Sequence, residues 1–127
     1  MYKSVWLIDD NEIDNLISKK LLERFDSTIS TREFLNARQA IEEIENGVDL
    51  PNIILLDINM PGMNGWEFLD ALLTTDVKNV HVFVYSSSIY DKDINKARSY
   101  GVVVDFVNKP LNEEKIAEIV KPKYFET

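Results

Sequence analysis

The chain has 127 residues, a formal net charge of −8 and a hydrophobic fraction of 45%, enough for one domain with a buried core and too little for two. It has no cysteine and one histidine, His81, which excludes disulfides, thiolate metal sites and a cysteine nucleophile and argues against a Ser-His-Asp triad. The acidic balance argues against direct binding of nucleic acid, no apolar run approaches the ~20 residues of a membrane span, and the first residues lack a signal-peptide layout, so a cytoplasmic domain without membrane insertion is expected.

Val5-Trp6-Leu7-Ile8 is a short apolar run that stops at Asp9-Asp10. Ile13, Leu16, Ile17, Leu21 and Phe25 then recur at helical spacing and predict a helix. Ser27 to Phe34 has β propensity but little apolar content, which predicts a strand near a sheet edge. Ala37, Ala40, Ile41 and Ile44 predict a second helix, with Asn36 as its N-cap and Gly47 as its stop. Ile53-Ile54-Leu55-Leu56 is a second strong strand, ending at Asp57, and Trp66, Leu69, Leu72 and Leu73 follow Gly65 as a third helix. Val80 to Tyr85 runs into Ser86-Ser87-Ser88, Ile94 and Ala97 mark a fourth helix before Gly101, and Val102 to Val107 runs toward Lys109. Ile116, Ile119 and Val120 follow Asn112, and Pro122 closes that last helix. Strand-then-helix order, repeated five times with near-continuous apolar strands, predicts an α/β fold: a five-stranded parallel sheet with helices on both faces.

Asp9, Asp10, Asp57, Ser86 and Lys109 all fall at or just beyond the C-terminal ends of predicted strands, the edge where open parallel sheets bind ligands. A single Asp after a strand is more often a helix cap, a single Ser a turn residue and a single Lys a solvated cation. Their coincidence on one rim is what points to a site. Carboxylates crowded together resist ionisation unless a cation joins them. Mg²⁺ suits an all-oxygen set, whereas Zn²⁺ would want nitrogen or sulfur ligands that this chain lacks.

The segments Leu7-Ile8-Asp9-Asp10-Asn11, Leu55 to Gly65 (with Asp57 and Met60-Pro61-Gly62), Val84-Tyr85-Ser86-Ser87 and Val107-Asn108-Lys109-Pro110-Leu111 resemble, in order and spacing, a two-component response regulator receiver domain. The resemblance covers the chain from Lys3 to about Val120 and implies the (βα)5 flavodoxin-like, CheY-like fold. It implies one receiver domain over 1–127, with a core of about 3–120, a short tail 121–127 and no output domain, hence a single-domain regulator. By resemblance Asp57 is the phosphoacceptor, Asp10 the direct Mg²⁺ ligand, and Asp9 the acid that holds the metal largely through water. Asn59 would lend its backbone carbonyl to Mg²⁺, while Lys109 and Ser86 would bind phosphoryl oxygens. Ser86 and Phe106 would form the switch pair, altering the surface of the fourth helix, last strand and fifth helix. Similar proteins often have a cis bond where this chain has Lys109-Pro110. The implied donor is a histidine kinase or a histidine phosphotransfer protein, and the output passes to a downstream protein target. Dimerisation through the last helices is left open.

The chain departs from the family pattern in places. Asn64 stands where Asp is commoner, and Phe106 carries no hydroxyl. Val102-Val103-Val104 is one residue longer than the usual approach to Lys109, predicting a differently shaped entry to the last strand. Ser88 and Asn59 would flank the path of water to the phosphoryl group. Gly62 and Gly65 are expected to give the loop after Asp57 its unusual dihedrals. His81 lies inside a strand, away from the acids, and is read as structural, as are Trp6 and Trp66. Apart from self-catalysed phosphotransfer and autodephosphorylation, no enzyme activity is expected. Competing readings are a Mg²⁺-dependent phosphohydrolase with an Asp nucleophile, a flavin binder of similar fold, and a docking module that is never phosphorylated. The first conflicts with Asn59, where a second acid is needed. The second conflicts with the acids after the first strand, which repel phosphate. The third conflicts with the full acidic set.

Overall fold

Five strands and five α-helices alternate along the chain of the computed structural model, which describes residues 3–87 and 90–126. In order they are β1 (Lys3–Ile8), α1 (Glu12–Phe25), β2 (Ile29–Phe34), α2 (Ala37–Asn46) and β3 (Ile53–Leu56). They continue as α3 (Gly65–Leu73), β4 (His81–Ser86), α4 (Asp91–Arg98), β5 (Val103–Asn108) and α5 (Glu113–Ile119), with a final 3₁₀ turn at Pro122–Phe125. The strands form one parallel sheet in the order β2-β1-β3-β4-β5. The polar β2 therefore sits at an edge, and the apolar β1, β3 and β4 occupy the middle, where both faces are covered. Ser88, to which the sequence assigned a place beside the water path, lies outside the described residues.

Strand periodicity splits the core in two. Trp6, Ile8, Ile54, Leu56 and Val82 pack on one face under α2 and α3, with Ala40, Ile44, Phe68 and Leu69. Val5, Leu7, Ile53, Leu55, Phe83 and Tyr85 pack on the other with Leu22 of α1 and Ile116 and Ile119 of α5. Tyr124 and Phe125 from the final turn are buried in this second layer, so the tail beyond residue 120 is built into the core. Ile58, Val84 and Ala97 make a small third cluster under α4, with Trp66 and Phe106 against it. Trp6 packs against Phe34 with the rings tilted, centroids 4.6 Å apart, and Trp66 stacks on Tyr100 at 6.1 Å, so both indoles serve packing.

Asn36 caps α2 by accepting from the Gln39 N–H, and Gly47 ends it at φ 71°. Asn64 and Glu67 form a reciprocal capping box at the start of α3. His81 stands at the β4 end remote from Ser86, beside the Asn52 carbonyl at 3.4 Å and the Tyr124 ring at 4.9 Å. The extra residue before β5 is taken up within the strand. Val82 pairs with Val103 but Phe83 pairs with Asp105, leaving Val104 as a bulge.

Helix α1 forms where the apolar spacing predicts it, but most of those apolar residues do not face the core. Its buried residues are Asn15, Ser18 and Leu22, while Ile13, Leu16, Ile17 and Phe25 are exposed. Two polar anchors explain the inversion. The Asn15 amide donates to the Asp9 carbonyl at 3.0 Å, and the Ser18 hydroxyl shares a 3.1 Å hydrogen bond with the Tyr85 phenol.

The two loop glycines serve different ends. Gly62 adopts φ 72°, in the left-handed region that favours glycine. Gly65 opens α3, and a methyl group there would lie 2.6 Å from Ile58 Cα and 2.8 Å from the Asp57 carbonyl oxygen. Both contacts are with backbone, which cannot swing aside. Gly65→Ala is therefore expected to destabilise the protein by about 1–3 kcal/mol, measured by urea unfolding. Gly101→Ala, where a methyl group meets nothing within 4 Å, serves as the comparison and should be close to neutral.

Candidate functional site

β1 and β3 are neighbours in the sheet, and the chain leaves them in helices on opposite faces. This is the switch point at which a doubly wound sheet opens a crevice. Asp9 and Asp10 follow β1, and Asp57 follows β3. Each of these three acids offers a carboxylate oxygen within 4.8 Å of the others. Asp9 and Asp57 are buried and Asp10 is exposed.

Matching turns orient the two buried acids. Asp9 Oδ1 accepts from the Asn11 N–H at 2.9 Å, and Asp57 Oδ1 accepts from the Asn59 N–H at 3.0 Å. The Oδ2 atoms of both then face Lys109. Its ammonium donates to Asp9 Oδ2, to Asp57 Oδ2 at 3.3 Å and to Asp14 Oδ2 at 3.1 Å. The lysine is held from the far side of the sheet: its backbone N–H donates to the Ser86 carbonyl at 3.0 Å, and the Lys109–Pro110 peptide is cis. The ammonium also lies 5.4 Å from the centre of the Tyr85 ring, within cation–π range.

Burial pushes the Asp57 carboxyl above its ordinary value, and the charge of Asp9 adds to the rise, against the pull of the Asn59 N–H and Lys109. For Lys109 burial alone would favour the neutral amine, but the Asp9, Asp57 and Asp14 carboxylates win and raise it well above the usual lysine value. The ammonium is thus fixed in its charged form. Burial likewise raises the Tyr85 phenol.

Asp9, Asp10, Asp57 and Lys109, singled out in the sequence, come together here. Ser86 is buried at the end of β4, and Asn59 is exposed two residues beyond Asp57. Phe106 is half-buried on β5 against Ile58, Val84 and Ala97. It belongs to the α4 cluster, apart from the acids. The sequence reading missed Asp14, which stands one helical turn after Asp10. It also missed the Asn15 and Ser18 anchors, whose polar types at helical spacing from Leu22 were the available signal. The donor set is all oxygen, two of its acids are buried, and one cationic side chain faces both of them. These residues fit a hard divalent cation.

A family model described as the response regulator receiver domain matches residues 5–121. The nitrate/nitrite response regulator NarL of Escherichia coli is 36% identical over 98 residues, covering 77% of this chain and 44% of NarL. The two-component response regulator ARR17 of Arabidopsis thaliana is 31% identical over 130 residues, covering 94% of this chain and 81% of ARR17. The crystal structure of a two-component response regulator from Cytophaga hutchinsonii superposes with a TM-score of 0.87 at 28% identity, covering 98% of this chain and 97% of that one. The chain spans only 14% of the sensor histidine kinase CheAY of Helicobacter pylori, another relative.

A raised native value for Asp57 has a definite sign in stability. The native state binds its proton more readily than the unfolded chain, so this group's contribution is fully present below the ordinary carboxylate value. It is lost as pH rises through the native value. At neutral pH the ionised Asp57 therefore costs stability. In metal-free buffer at pH 7, Asp57→Asn should raise the urea midpoint. That gain should fade as both proteins are taken below about pH 4.

Proposed function

The chain belongs to the response regulator receiver family, whose work is phosphorelay signalling, and on that footing we propose that Asp57 is its phosphoacceptor. The donor would be a phosphohistidine of a histidine kinase or a histidine phosphotransfer protein. An Asp57 carboxylate oxygen attacks phosphorus, the P–N bond breaks, and its electron pair returns to the imidazole. The product is an aspartyl phosphate. The observation that carries this reading is the convergence of Asp9, Asp10 and Asp57 with Lys109 on one rim.

Asp9, Asp10, Asp57 and the Asn59 backbone carbonyl are the groups that would hold Mg²⁺. Bound there, the ion supplies neutralisation of the charge on the transferred group. Lys109 lies within reach of Asp57 and would follow a phosphoryl oxygen, leaving its carboxylate partners for a more highly charged one. Ser86 would bond a second phosphoryl oxygen. Its movement would draw Phe106 inward from the half-buried place beside Ala97, and so alter the face of α4, β5 and α5 that a downstream protein reads. Chemistry beyond phosphotransfer and loss of the phosphoryl group to water is not proposed.

The donor's route is supported by α1. Ile13, Leu16 and Ile17 are 67%, 47% and 47% exposed and lie in the first turns of the helix that starts beside Asp10. A partner helix presenting its phosphohistidine to Asp57 would cover them.

Three measurements test these assignments. Incubation with acetyl phosphate and Mg²⁺, followed by intact mass, should give one phosphoryl adduct that Asp57→Asn abolishes. An adduct that survives in Asp57→Asn, or none on the wild type, would overturn the assignment. Addition of beryllofluoride and Mg²⁺ should also shift the NMR signals of Phe106 and Tyr100. For the partner face, Leu16→Asp should slow transfer from a protein phosphohistidine by about tenfold or more, given the size of interface anchors. It should leave the rate from acetyl phosphate nearly unchanged.

A further inference from the structure

Asp9 and Asp57 each have one carboxylate oxygen, Oδ1, that accepts a backbone N–H and a second, Oδ2, that faces Lys109. Both Oδ2 atoms are already engaged by Lys109. A divalent ion entering the acid set must therefore share the Asp9 and Asp57 carboxylates with the ammonium. The third acceptor on Lys109, Asp14 Oδ2 at 3.1 Å, is of a different kind. Asp14 is not one of the three acids whose oxygens converge, and its side chain is 39% exposed on α1. Its place is fixed by the helix cap, since its backbone N–H donates to the Asn11 side chain at 3.0 Å.

We propose that Asp14 is a positioning residue that anchors the Lys109 ammonium on the α1 side of the rim. There the lysine keeps a charged partner when Asp9 and Asp57 turn to a metal ion. The inference rests on the reading of Asp9, Asp10 and Asp57 as the Mg²⁺ site, and deepens it. An ammonium without Asp14 has only the metal's own ligands to pair with, and it resists giving them up. With Asp14 present, one of its three donors stays satisfied throughout, and the lysine remains close to Asp57 for the phosphoryl group. The chemistry is that of an outer partner tuning a metal site through a group it orients.

The test is Mg²⁺ affinity, measured by calorimetry on the unphosphorylated protein. Asp14→Asn should weaken Mg²⁺ binding by about tenfold, in the range for loss of an outer partner. The control is Glu12→Gln, which removes the same charge from the exposed first turn of α1, where no hydrogen bond or ion pair to Lys109 is present among the described residues. That change should alter affinity by less than about twofold, as expected for a screened surface charge. In a Lys109→Met background the effect of Asp14→Asn should shrink to within about twofold, because a group acting through Lys109 cannot act without it. An equal loss in Asp14→Asn and Glu12→Gln would overturn the proposal by reducing Asp14 to bulk charge. So would an undiminished Asp14→Asn effect in the Lys109→Met protein. The Glu12 comparison holds even if Lys109→Met does not fold. Wild-type protein that binds no Mg²⁺ would overturn the underlying metal site, and with it the role of Asp14, a result distinct from the other two.

Discussion

One ammonium group decides how the rim is built. Asp9 and Asp57 are both buried, and buried carboxylates this close repel each other strongly in a medium of reduced dielectric. Lys109 sits between them and reaches a third acid, Asp14. Removing the lysine would leave like charges facing each other with little water to screen them. The native value of Asp57 is raised even with Lys109 in place, so the compensation is incomplete. A cation joining the acids would relieve that residual strain.

The sheet makes this arrangement possible. Lys109 follows β5 and the acids follow β1 and β3, with β4 between them. The lysine side chain must span that strand to reach the acids, and its backbone is fixed by a hydrogen bond to Ser86. The end of β4, where Ser86 lies, therefore stands between the acids and β5. The bulge at Val104 falls upstream of Phe106 on β5. It absorbs the extra residue before the strand reaches the site, so the register from Asp105 to Asn108 is undisturbed.

The strands were legible because burial on both faces leaves near-continuous apolar runs, as in Ile53 to Leu56. The caps at Asn36 and Gly47 were legible because their physics is local. The rim acids were legible because strand ends in a parallel sheet share one edge. What could not be read depends on tertiary partners. The inward face of α1 is chosen by Asn15 and Ser18, whose acceptors, the Asp9 carbonyl and the Tyr85 phenol, lie elsewhere in the chain. The part of Asp14 was hidden for the same reason, since a carboxylate in a first helical turn is ordinarily a dipole partner. Gly65 was expected to serve a turn dihedral, and its actual constraint is the approach of the Ile58 backbone.

The orientation of α1 joins these points. Burying three large aliphatic side chains is worth roughly 1.5–3 kcal/mol each, whereas a typical hydrogen bond contributes about 0.5–1.5 kcal/mol net. On those terms the helix would turn Ile13, Leu16 and Ile17 inward, although that would bring the fully buried Leu22 out on the opposite face. Such a rotation would also carry Asp14 away from Lys109 and strip Tyr85 and the Asp9 carbonyl of their partners, all within the first three turns. The site therefore sets the rotation of the helix, and the helix is left with an apolar stripe beside the acids. In the isolated chain that exposure is unfavourable. A surface lying against α1 would relieve it. Fixing the acid cluster from beneath and leaving an apolar stripe above it are two consequences of the same set of polar anchors.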